Sequence, residues 1–77
     1  MLKLPKLSGQ EIVKILVKEF GFEISRQRGS HVVLRKMEKG KKIVTIVPLH
    51  EEVKPGTLLG ILRLARIRKE EFLEKLK

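Results

Sequence analysis

The chain has 77 residues, a net charge of +9 and no cysteine. That length makes a single domain, residues 1–77, with a small core, roughly 60% of the unfolded surface being buried at this size. The missing cysteines exclude a disulfide framework and any thiolate metal site.

Eighteen Lys and Arg stand against nine acidic residues, all Glu. Such a field attracts polyanions (RNA, DNA or an acidic protein), while a merely solubilising basic surface is the plainer alternative. No apolar run approaches the ~20 residues of a membrane span, and the N-terminus lacks the apolar region of a signal peptide. A cytoplasmic protein with no membrane partner is expected. With two histidines and no Asp, a metal shell would have to come from Glu and His, and no such spacing is present; no metal or cofactor is expected. Asn is absent and Gln scarce, a pattern that recurs in proteins from hot environments.

In chain order, Met1 to Leu7 reads as an extended arm, and residues 8–76 as the core. Ser8-Gly9-Gln10-Glu11 fits a capping box, starting a helix whose Ile12, Ile15, Leu16 and Glu19 or Phe20 recur at three-to-four spacing. Gly21 ends it. Phe22 to Arg28 reads as a strand in which Phe22 and Ile24 alternate with Glu23 and Ser25, with Arg26 and Arg28 continuing the apolar face outward. Gly29 supplies a turn. Ser30 to Met37 is a second strand, Val32 and Leu34 on one face, His31, Val33 and Arg35 on the other. A polar hairpin, Glu38 to Lys41, leads to a third strand, Lys42 to Val47, closed by Pro48. After a loop carrying His50, Pro55 and Thr57 mark a helix start, and Leu58, Ile61, Leu62 and Ala65 form its apolar side. A last amphipathic turn or two, Lys69 to Leu76, gathers Phe72, Leu73 and Leu76.

This order predicts an α+β fold: helix, three-stranded antiparallel meander, helix, short extra helix. The helices cover one sheet face and leave the other to solvent. Val32 and Leu34 then point to the helices, and His31 and Arg35 lie on the open face.

Gly29-Ser30-His31 is the candidate centre. Histidine both takes and gives a proton near neutral pH, although a lone histidine is more often a plain surface residue. Gly29 and Ser30 leave room for a phosphate, and Arg26, Arg28 and Arg35 are candidates to bind it. RNA brings its own nucleophile, so a base at His31 suffices to activate the 2′-hydroxyl, with Arg28 or Arg35 stabilising charge. His50 is either a second acid or substrate contact, or a solvated loop residue.

These residues, with Gly21-Phe22-Glu23, Arg26-Gln27-Arg28, Val47-Pro48-Leu49-His50, Lys54-Pro55-Gly56-Thr57-Leu58 and Ile61-Leu62, resemble the HicA toxins from about Ser8 to Leu76. The resemblance implies a fold similar to the double-stranded RNA-binding domain. It also implies a metal-independent endoribonuclease that cuts mRNA, with His31 as the catalytic residue, and a HicB-type antitoxin as protein partner. The arm before Ser8 is outside the family pattern. A non-catalytic double-stranded RNA-binding module is the alternative. A DNA-groove helix over Leu58 to Ile67 is disfavoured, because its apolar side chains are needed in the core.

Overall fold

A computed structural model describes residues 4–76; the first three residues of the expected arm lie outside them. The order is α1 (Gly9–Phe20), β1 (Glu23–Arg28), β2 (His31–Glu38), β3 (Lys41–Pro48), α2 (Pro55–Ala65) and α3 (Lys69–Glu74). The strands form one antiparallel sheet in the order β1-β2-β3. The α+β architecture expected from the sequence is the one observed.

Local chemistry accounts for the element ends. The Glu11 amide donates to Ser8 Oγ at 3.1 Å and the Ser8 amide to Glu11 Oε1 at 2.9 Å, closing the capping box. Gly21, at φ +76°, then turns the chain out of the helix. The β2–β3 turn has both central residues at positive φ, Lys39 at 51° and Gly40 at 77°, the type I′ geometry whose twist matches the flanking strands. At the head of α2, Lys54 caps with no side-chain hydrogen bond. The Thr57 hydroxyl therefore does not serve as a cap; Pro55 at the first helical position removes one of the orphan donors instead.

The core lies between the sheet and the helices. Ile12 and Leu16 of α1, Leu58, Ile61, Leu62 and Ala65 of α2, and Phe72 of α3 bury against Val32 and Leu34 of β2 and Ile43 and Val47 of β3. Leu7 joins through an antiparallel bridge to Val53, whose amide donates to the Leu7 carbonyl at 2.7 Å. The described end of the arm is thus pinned to the loop before α2. Beyond Ala65, Arg66 takes φ +60° and Ile67 folds back into the core. This return lets Phe72 stack on Phe20, ring centroids 6.4 Å apart.

Lys36 continues the inward face of β2 yet keeps its charge wet: its ammonium sits 5.4 Å above the Phe22 ring and 3.2 Å from Glu38. Thr45 is the buried polar side chain of the sheet, and its hydroxyl donates to the Ile61 carbonyl at 2.8 Å, tying α2 to β3. Thr45→Val keeps the shape and removes this bond. It is expected to cost about 0.5–1.5 kcal/mol, a loss of several degrees in Tm for a domain of this size, measured by thermal unfolding.

Candidate active site

The open face of the sheet has His31 at one end. The β1–β2 turn takes Gly29 at φ +58° with Ser30 at negative φ, the pattern of a type II′ hairpin. It puts no bulk beside the first residue of β2, His31, which is exposed. His31 pairs with Arg28 on one side and Pro48 on the other. Directly opposed residues hold their Cβ atoms about 4.5–5.5 Å apart, so imidazole and guanidinium can meet on one phosphate.

Strict alternation does not give this arrangement. It would keep Arg26 and Arg28 on the side of Ile24, as the sequence suggested, whereas the pairing steps from Ile24↔Leu34 to Arg26↔Val33. Two steps on β1 match one on β2, so Ser25 is the extra residue of a β-bulge, a feature common at sheet edges and near active sites. Ile24 stays opposite inward-facing Leu34; Arg26 and Arg28 cross to the face of Val33 and His31.

The sequence profile of the HicA toxins of bacterial toxin–antitoxin systems matches residues 9–67, more than half of the chain. The chain belongs to the HicA toxin family. No curated protein and no solved structure matches it. As a HicA-family protein it is a toxin of a toxin–antitoxin system. The arm and α3 lie outside the matched stretch, although α3 contributes Phe72 to the core.

The arginines of this HicA-family toxin are not equivalent. Arg26 and Arg28 form no ion pair among the described residues. Arg35 stands four residues beyond His31, about 13 Å along the strand, and its Nε donates to Glu23 Oε1 at 3.0 Å. Glu23 reaches the open face by the same register, opposite Arg35. Both partners are about half exposed or more, so the pair holds little energy. It nevertheless offers Arg35 a ready competitor to phosphate.

The loop after β3 is drawn against the turn. The Leu49 amide donates to the Ser30 carbonyl at 2.6 Å, and the Gly9 amide to the His50 carbonyl at 2.8 Å. His50 is exposed, two residues past the cross-strand partner of His31. Gly9 was not singled out by the sequence. A Cβ there would collide with the Pro48 carbonyl oxygen and come within 2.7 Å of Leu49 Cα. The start of α1 therefore needs glycine to seat on the loop; the one sequence signal is a poor helix former directly after a strong cap.

The rest of the open face is largely apolar. Val44 and Ile46 of β3, with Val33 and Met37 of β2, form an exposed or half-buried apolar stripe beside Lys42. It was readable in the β3 alternation, where both faces carry β-branched residues. Among the described residues no group of three His or carboxylate side chains gathers to hold a metal ion, and no helix is long and apolar enough to cross a membrane.

Deleting Ser25 tests the bulge. The deletion turns the two steps from Ile24 to Arg26 into one, making the ladder regular with both arginines still on the His31 face. RNA affinity of ΔSer25 is expected within about threefold of wild type in anisotropy titrations, a change of under ~1 kcal/mol. A tenfold change would show that the arginine face was not set by the bulge.

Proposed function

We propose that this toxin is an endoribonuclease that cleaves mRNA, thereby arresting translation, with His31 as the general base. The observation that carries this reading is the exposed His31 directly opposite Arg28 on a solvent-facing sheet. Family membership supports it independently.

In this reading the RNA phosphate lies over the Gly29-Ser30 turn. The His31 imidazole accepts the proton of the ribose 2′-hydroxyl, and the 2′-oxygen attacks the adjacent phosphorus. The P–O5′ bond breaks, giving a 2′,3′-cyclic phosphate and a 5′-oxygen that takes up a proton to leave as a hydroxyl. No bond is made to the protein. Arg28 stabilises the charge on the phosphorane oxygens, where fixed donors act most strongly. Arg26 and the open backbone of Gly29 and Ser30 hold the flanking phosphate. Arg35 contacts RNA further along, where it must exchange Glu23 for a phosphate. His50, exposed on the loop two residues past Pro48, is the candidate second substrate contact and proton donor to the leaving oxygen.

The partner in this reading is an acidic HicB-type antitoxin. A chain of charge +9 favours fast, salt-dependent association with a negative surface.

Purified protein incubated with RNA in excess chelator tests the assignment. His31→Ala is expected to lower the cleavage rate at least ~10²-fold while leaving RNA affinity within a few fold. Replacing the 2′-hydroxyl at the cut site by hydrogen abolishes cleavage. Arg28→Ala should slow cleavage more than Arg35→Ala. Full activity of His31→Ala would overturn the reading and leave a binding module.

A further inference from the structure

The two helices do not cover the whole inner face of the sheet. Every residue of β1 is exposed, and Ile24, on the helix side, is 56% accessible. Between β1 and α1 this leaves an open groove of about 270 Å³, lined by Gln10, Val13, Ile24, Gln27, Val32 and Leu49. Its volume lies just below the roughly 300–1,000 Å³ of drug-sized ligand sites, a size suited to a single flat ring system.

Two features connect the groove to His31. Leu49 is hydrogen-bonded to the Ser30 carbonyl at 2.6 Å. Gln27 Nε2 donates to the Gly29 carbonyl at 3.1 Å. Both lining residues are therefore fastened to the turn that immediately precedes His31. Gln27 pairs with Val32, one step from the Arg28–His31 pair. A chain crossing the narrow Gly29-Ser30 turn would have its phosphate on the His31 face and its base over the groove.

The lining also has a defined polarity. Its floor is aliphatic, and its two polar groups are both carboxamides. The Gln27 amide nitrogen is committed to the turn, which fixes the side chain and leaves Oε1 as an acceptor. The Gln10 side chain forms no hydrogen bond or ion pair among the described residues, so it keeps both a donor and an acceptor. A free carboxamide matches the N6–H₂ and N7 edge of adenine in two parallel bonds. No charge lines the groove, which suits a neutral base and not a phosphate.

We propose that this groove is a base-recognition subsite for a nucleotide flanking the cut, and that it selects adenine through Gln10 and Gln27. The subsite rests on the ribonuclease reading for its role, but binding can be measured without cleavage. It gives a small nuclease a preference that its phosphate contacts alone do not supply, since those carry no sequence information.

The test uses DNA oligonucleotides with one ribonucleotide, so that the cut site is fixed. Adenine or hypoxanthine, which lacks the exocyclic amine, is placed at the ribonucleotide or at its 3′ neighbour. All-deoxy versions of the same oligonucleotides report binding alone. Wild type should favour adenine at one of the two positions by about tenfold or more in kcat/KM, within reach of one bidentate amide contact. Gln10→Ala and Gln27→Ala should each bring that ratio close to one; both side chains are exposed and outside the core. Equal rates and equal binding for the two bases would overturn the subsite while leaving the nuclease intact. Adenine-selective, Gln-dependent binding without any cleavage would uphold the subsite and overturn the nuclease.

Discussion

Two main helices can bury only one face of a three-stranded sheet, and the function follows from what is left uncovered. The inner faces of β2 and β3 are committed to α1 and α2, with Thr45 tying α2 to the sheet and Phe72 closing the end. His31 therefore stands on the solvent side because its neighbours Val32 and Leu34 are needed inside. A side chain on an outward position of a central strand is held by the whole sheet, which is how a small fold presents a fixed imidazole without a cleft.

The bulge at Ser25 adds the electrostatics. Were Ser25 paired in a regular ladder instead, Arg26 and Arg28 would share the helix side with Ile24, away from His31. With it, one edge strand contributes Ile24 and Gln27 to the helix side and Arg26 and Arg28 to the open side. Looping Ser25 out of the ladder thus keeps a cationic surface and a neutral groove on opposite faces of the same strand. The Pro48-Leu49-His50 loop joins the two faces, hydrogen-bonded both to Ser30 and to the Gly9 amide of α1. Gly9 is required there because the loop backbone occupies the space of its missing Cβ.

Much of this was legible in the sequence because it depends on local rules. The capping box at Ser8, the stop at Gly21, the inward Val32 and Leu34 and the outward His31 all follow from spacing and side-chain type. So did the short last helix, through Phe72. What could not be read were register and contact. The bulge leaves no mark in the Glu23 to Arg28 alternation, so the arginine face was inverted. The Arg35–Glu23 pair depends on that register, and the Gly9 approach joins residues forty positions apart in the chain. The Arg66 turn was missed because arginine rarely adopts positive φ; burying Ile67 and Phe72 outweighs that local preference.

The most direct test of the proposed RNA-cleaving face is a map of where an RNA oligonucleotide perturbs the protein. The His31→Ala protein, labelled with ¹⁵N, is titrated with a short mRNA-like oligonucleotide, and amide and arginine side-chain shifts are followed. The account places the largest changes at Arg26, Arg28, Gly29 and Ser30, with Leu49 and His50 following. Changes centred instead on Lys14 and Lys18 of α1 or Arg63 of α2, with the Gly29-Ser30 turn silent, would contradict it.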